Sequence, residues 1–273
     1  MGGLQTIPES NVLYRAWTVA NPQACLLLVH GMGAHSARWE ALAAYFTGKN
    51  FSSYAIELKG FGATPERPRG HISSFNIYYQ DILKLLSLIK KENPDKKVFI
   101  VGESMGGLIS FILSCLNPDK FSGQVLISPA FKNGMKFPPA SYLTLLTNFL
   151  TNSQKVIDMP FTSAMCTRDS DYQKVMDNNP DELRVASVKI LLEILVAQMR
   201  AGALLKKLSV PTLFLLAGKD YLVDAEASRK TFSRLPLIDK LILEYPTMHH
   251  ALSIELEKET VYNDVHEWIK RRI

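Results

Sequence analysis

Short apolar runs, each closed by a glycine, a proline or a polar residue, recur along this chain with amphipathic stretches between them. Ala24–His30 (ACLLLVH) is continuous and ends at Gly31; Phe51–Glu57, Val98–Gly102, Val125–Ser128, Leu213–Ala217 and Leu241–Tyr245 have the same character. Runs this short and this uniformly apolar predict strands buried on both faces. Ser74–Lys91 instead places Ile77, Ile82, Leu85, Leu86 and Ile89 at helical spacing, with Pro94 just past the stop. Met105–Leu116, followed by Asn117 and Pro118, and Glu255–Ile269, with Val261, Val265, Trp268 and Ile269 available for packing, are further predicted helices. Gly3–Trp17 reads as the first strands. The alternation predicts an α/β fold: a mostly parallel central sheet with helices on both faces.

Ala130–Leu208 breaks the rhythm. It shows helical stretches, Tyr142–Leu150 and Val185–Met199 the strongest, and no convincing strand. One crossover needs only about a dozen residues, so this stretch predicts an inserted helical cap. The expected organisation is a first core part at 1–129, the cap at 130–208 and a second core part at 209–273. No repeats or low-complexity segments interrupt this plan.

Composition narrows the class. Hydrophobic residues make up 47% of 273 and charged residues 21%, as in an ordinary globular protein. The formal charge of +5 is mild and its basic residues are scattered, which argues against a nucleic-acid partner while suiting peripheral contact with anionic membrane surfaces. Cys25, Cys115 and Cys166 match no metal or disulfide spacing and suit a reducing, cytoplasmic compartment. Neither a signal peptide nor a spanning helix is expected. Gly2 and Thr6 fit a loose myristoylation pattern, but the segment reads more simply as the start of the fold.

The chemistry is concentrated in a few loops. Lys97–Gly107 (KVFIVGESMGG) sets G-x-S-x-G between a strand and a helix, the nucleophile elbow of α/β-hydrolases, with Ser104 as nucleophile. A serine hydroxyl needs a base, normally a histidine oriented by an acid, and in that fold the order is serine, acid, histidine. Asp220, just past the strand LFLLAG, is the favoured acid; Asp224, four residues on, can equally cap a helix over Ala225–Leu235. Among six histidines, His249 and His250 lie in the right loop, and spacing does not separate them. His30-Gly31-Met32-Gly33 follows a strand and offers the Met32 N–H, beside that of Met105, as an oxyanion donor.

HGMGAHSARW, PRGHISSF, GESMGG, GKDYLVD and HHALSIELEKE, in this order, resemble the monoacylglycerol lipase and lysophospholipase group of α/β-hydrolases. The likeness runs from about Gly3 to the C-terminus and is weakest in the cap. It implies the α/β-hydrolase fold and a triad of Ser104, Asp220 and His250: the group's H-x-L-x-x-E pattern fits His250, Leu252 and Glu255, leaving His249 as the neighbour. It also implies Met32 and Met105 at the oxyanion positions and no metal or organic cofactor. Two departures bear on substrate preference. Many members have histidine where this chain has Glu103, and a glutamate there resembles the plant-type branch; the D-x-x-G-H-G loop is altered to Glu57, Gly60, Phe61 and Gly62.

The expected activity is therefore ester hydrolysis through an acyl-enzyme, on a small-molecule monoacylglycerol or lysophospholipid. An apolar cap with Phe137, Tyr142, Leu143, Leu145, Leu146, Phe149 and Leu150 would suit an acyl chain. Short-chain or aromatic esters, another triad reaction on C–C or amide bonds, and an idle binding protein on the same fold are the competing readings.

Overall fold

The chain enters through a hairpin, β1 (Leu4–Thr6) and β2 (Leu13–Trp17), and then alternates. β3 (Cys25–Val29), α1 (Glu40–Thr47), β4 (Ser52–Ile56), α2 (Phe75–Glu92), β5 (Val98–Glu103), α3 (Met105–Leu116) and β6 (Gly123–Ile127) follow in order. These bounds come from a computed structural model that describes residues 2–135, 147–148 and 151–273. After β6 come β7 (Val156–Asp158), α4 (Ser163–Cys166), α5 (Ser170–Asn178), β8 (Val185–Ser187) and α6 (Val188–Leu204). The chain then returns through β9 (Thr212–Ala217), α7 (Ala225–Arg234), β10 (Lys240–Tyr245) and α8 (Lys258–Lys270).

Eight strands form one sheet in the order β1-β2-β4-β3-β5-β6-β9-β10. From β4 to β10 every pair is parallel, and only the β1–β2 hairpin and its junction with β4 are antiparallel. The register aligns Val29 with Gly102, Glu103 with Ile127, Ile127 with Leu215, and Ala217 with Tyr245. The loops after β3, β5, β9 and β10 therefore all leave one edge, where ligands of open α/β sheets gather.

Side-chain alternation divides the core between the two faces. Leu27 and Val29 of β3, with Phe214 and Leu216 of β9, pack with Ile82 and Leu85 of α2 and Leu108 and Ile109 of α3. Leu26, Leu28, Leu213 and Leu215 pack with Leu42 and Phe46 of α1 and Val261, Val265 and Trp268 of α8. Both faces are covered, which is why the strands read as unbroken apolar runs.

The segment between β6 and β9 is not strand-free as the sequence suggested: β7 pairs antiparallel with β8. Three residues per strand are too few to display a period of two. The expected helix from Val185 begins at Val188, because Ser187 is extended and its hydroxyl accepts the Ile190 N–H at 3.2 Å, an N-cap. The last helix likewise starts at Lys258 rather than Glu255; the Glu255 carboxylate is engaged elsewhere. Tyr142–Leu150 extends beyond the described residues, and all seven apolar cap residues named above lie outside them. Ile190, Ala197 and Ala201 of α6 belong to the same core as α3, so this segment shares the sheet's packing.

Candidate active site

The turn from β5 to α3 is tight. Ser104 stands in it at φ 58°, ψ −120°, a left-handed conformation that non-glycine residues avoid. The Ser104 N–H donates to Ile127 O at 2.9 Å, and Ser104 O accepts from Ala130 N–H at 3.0 Å, so β6 and the loop after it hold the strained residue. Flanking glycines make the approach possible: a Cβ at Gly106 would lie 2.1 Å from Val29 O, and one at Gly102 2.3 Å from Gly106 O. A Cβ at Gly31 would lie 3.1 Å from Ser104 Cβ, which brings the glycine loop after β3 against the nucleophile elbow.

Past β9, Asp220 Oδ1 accepts the N–H groups of Leu222 and Val223, both at 2.9 Å. Its Oδ2 accepts from His250 Nδ1 at 2.8 Å, and both side chains are almost fully buried. Burial alone would raise the Asp220 carboxyl; the charge and hydrogen bond of His250 and the two backbone donors outweigh it and hold the carboxyl below its ordinary value. Burial alone would lower the imidazole; the charge and hydrogen bond of Asp220, with the charge of Glu103, outweigh it against Arg38 and raise His250 above 6.5. The other candidates go elsewhere. Asp224 caps α7, accepting from Glu226 and Ala227, and pairs with Lys132 at 2.8 Å. His249 turns away, its Nδ1 bonded to Ala164 O at 2.8 Å and its ring edge-on to Tyr221. His71 bonds Ser187 Oγ at 2.9 Å, and His266 packs among Tyr45, Phe46 and Phe51.

The glycine loop is held from both sides. His30, buried, accepts the Leu58 N–H on Nε2 and donates from Nδ1 to Gly31 O; burial presses its pKa down to about 4, so the ring is neutral at neutral pH. The Glu57 carboxylate accepts from the Ser36 N–H at 2.9 Å, from the Ser36 hydroxyl and from the Ala63 N–H at 3.0 Å. Glu57 is thus the tie between the altered loop and the glycine loop. Met105 opens α3, where backbone N–H groups lack helical partners, and the Met32 N–H has no hydrogen-bond acceptor among the described residues. Met32, in the loop after β3, and Met105, at the start of α3, follow strands that end at the same sheet edge as Ser104.

Three buried groups around this edge make ties that the sequence did not predict. Arg38 and Glu182 form a bidentate ion pair, Nε to Oε1 at 2.6 Å, joining the glycine-loop side to the segment after α5. Glu255, fully buried, accepts the His249 N–H at 2.7 Å and that of Leu256 at 2.9 Å, and pairs with Arg168 at 3.2 Å, pinning the histidine loop. Glu103 reaches Ser253, just past His250. Glu255 left a trace in the sequence through its place in H-x-L-x-x-E, and Glu103 as a departure within the G-x-S-x-G motif; neither trace told of burial or partner. Among the described residues no cluster of His, Cys, Asp and Glu could hold a metal ion.

A parallel sheet with an antiparallel edge, a strained serine between strand and helix, and a buried Asp–His pair past later strands define the α/β-hydrolase class. The chain belongs to the Hydrolase_4 family (serine aminopeptidase, S33), which matches residues 20–257. It is 30% identical to monoglyceride lipase of Mus musculus, over 92% of this chain and 84% of that protein. It is 29% identical to a phospholipase of Bacillus subtilis, over 90% and 95%. The crystal structure of Paleococcus ferrophilus monoacylglycerol lipase superposes with a TM-score of 0.84 at 25% identity, covering 96% of this chain and 99% of that one. The chain is a serine hydrolase of the lipase type.

Proposed function

We propose that this protein hydrolyses carboxylic esters of monoacylglycerol or lysophospholipid type through Ser104, His250 and Asp220. The observation that carries the reading is the buried 2.8 Å bond between His250 and Asp220, on the sheet edge that also bears Ser104 in its strained elbow. Ser104 Oγ attacks the ester carbonyl carbon while its proton passes to His250 Nε2. The carbonyl electron pair moves onto oxygen, which faces the N–H groups of Met32 and Met105. Collapse breaks the ester bond, and His250 returns the proton to the leaving alcohol. Water then repeats the sequence on the acyl-enzyme, its proton taken by His250, and releases the acid with Ser104 restored. Asp220 keeps the proton on Nδ1 and favours the cation that forms twice per turnover.

We read 130–208 as a cap between the core parts 1–129 and 209–273, and the acyl chain as the substrate portion it would cover. The names of the relatives support the lipid ester; the three buried free cysteines suit a cytoplasmic enzyme working at a membrane surface.

A fluorophosphonate probe labels wild-type protein at Ser104, and Ser104→Ala abolishes both labelling and p-nitrophenyl butyrate turnover; an unlabelled folded protein would falsify the reading. With esters from two to about sixteen carbons, kcat/KM rises with each buried CH₂ by up to about fourfold, since each contributes ~0.8 kcal/mol. A maximum at two to four carbons would replace the lipid substrate by a small ester. The family's peptidase description gives a second reading, amide cleavage; aminoacyl p-nitroanilides turned over faster than matched esters would establish it.

A further inference from the structure

Glu103 stands between the first glycine of the elbow and the nucleophile, at the last position of β5, and is 4% exposed. A carboxylate is expensive there. Its Oε1 accepts the Ser253 N–H at 3.1 Å and its Oε2 the Ser253 hydroxyl at 2.9 Å. Ser253 lies in the turn Leu252–Ile254 directly after His250, and its own carbonyl accepts the Tyr262 hydroxyl from α8. The residue before Ser104 is therefore tied to the turn after His250, so the two loops are held against each other by a contact outside the reacting atoms.

A neutral glutamine could also bridge Ser253, its oxygen accepting the N–H and its amide nitrogen donating to the hydroxyl oxygen. Retaining a charge in a buried site calls for a partner that gains from it. The charged and titratable groups facing Glu103 are His250 and Arg38, with the thiol of Cys166 and the phenols of Tyr172 and Tyr262. Those facing His250 are Asp220, Glu103 and Arg38. The imidazolium formed during turnover is bonded to Asp220 and lies within the weakly screened field of Glu103; burial raises the Glu103 carboxyl above its ordinary value, and the charge of His250 and the two bonds from Ser253 pull it back.

Resting on the reading that His250 is the base for Ser104, we propose that Glu103 is a positioning residue for the reaction. Through Ser253 it fixes the histidine loop to the nucleophile elbow, and its negative charge, added to that of Asp220, stabilises the His250 cation.

Glu103→Gln keeps an acceptor oxygen for the Ser253 N–H, sets an amide donor against the Ser253 hydroxyl oxygen, and removes the charge; Ser253→Ala leaves Glu103 in place and removes one tie. kcat and KM for p-nitrophenyl butyrate are measured from pH 5 to 9, with thermal unfolding and fluorophosphonate labelling of each protein. Glu103→Gln is expected to lower kcat about tenfold with KM within about twofold, and to move the acidic limb of kcat/KM down by up to about one pH unit, the equivalent of tenfold. Ser253→Ala lowers kcat by about threefold at unchanged KM. A folded Glu103→Gln with wild-type kcat and an unmoved acidic limb overturns the proposal. Should Glu103→Gln not fold, Ser253→Ala decides: a wild-type kcat overturns it, a fall in kcat at constant KM supports it. Failure of the wild type to label at Ser104 would instead remove the triad reading beneath it.

Discussion

Ser104 adopts a backbone conformation that costs a non-glycine residue on the order of 1–3 kcal/mol, and its neighbours are chosen to permit it. Gly106 is the tightest of them, since a Cβ there meets backbone oxygens of Val29 and His30 at 2.1 and 2.6 Å. Neither oxygen belongs to a flexible side chain, so Gly106→Ala must shift β3 or α3. We expect a loss of about 2–4 kcal/mol in urea unfolding and a loss of activity beyond that, because the shift opens the contact between Ser104 and the glycine loop. For His250 and Asp220 the pH signs are fixed by their surroundings. His250 is raised, so its pairing stabilises the fold fully below 6.5 and loses that contribution as pH rises through the raised value. The proposed mechanism requires the neutral ring, so kcat/KM is expected to climb over the same interval, with its acidic limb above pH 6.5. Asp220→Asn lowers kcat by about 10³–10⁴-fold. An acidic limb below 6.5 in the wild type would contradict the pairing. Spacing alone could not choose between His249 and His250, because consecutive residues differ in direction and only the folded loop shows which ring meets Asp220.

At the scale of elements, the loop bearing Met32 is held by contacts distant in sequence. Arg38 binds Glu182; Gly33 O accepts the Leu183 N–H at 2.8 Å; His35 Nε2 lies 3.1 Å from Asn179 Nδ2. Burial would raise the Glu182 carboxyl, but the charge of Arg38 and bonds from His35 and Arg38 outweigh it and hold the carboxyl at about 2 instead of 4.5. Its contribution to stability is therefore present above pH 4.5 and lost as pH falls toward 2. Glu182→Gln leaves Arg38 buried without its counter-charge and costs about 3–5 kcal/mol near neutrality. Urea titrations should show the gap between wild type and variant closing between pH 4.5 and 2; a gap independent of pH would mean that Glu182 acts by packing alone. Helix α2 was legible because Ser74 caps it and its apolar face repeats over eighteen residues. β7 and β8 were not, because three residues pair only where the rest of the fold brings them together.

On the scale of the whole molecule, the sheet edge gathers loops from both halves of the sequence, and the segment between β6 and β9 packs into the same core as α3. Ile190, Ala197 and Ala201 share that core with Leu108 and Ile109. Trp17, Trp39 and Trp268 all lie in the core on the opposite face. Their fluorescence therefore reports one face, while far-ultraviolet circular dichroism reports every helix. We expect the two signals to follow a single thermal transition; an earlier loss of helical signal, with fluorescence unchanged, would show the inserted segment melting independently of the sheet.

The sequence alone determined what depends on neighbours along the chain. Uniform apolar runs required a sheet covered on both faces, helical spacing required α2 and α3, and G-x-S-x-G required a turn that only glycines could flank. Tertiary structure decided what depends on direction and burial: His250 rather than His249 on Asp220, Asp224 as a helix cap, and Glu103, Glu182 and Glu255 as buried ties. A charged residue in a sequence reads as solvated surface by default. Whether it is enclosed with a partner depends on segments as far apart as Glu103 and Ser253, and only the closed fold brings those together.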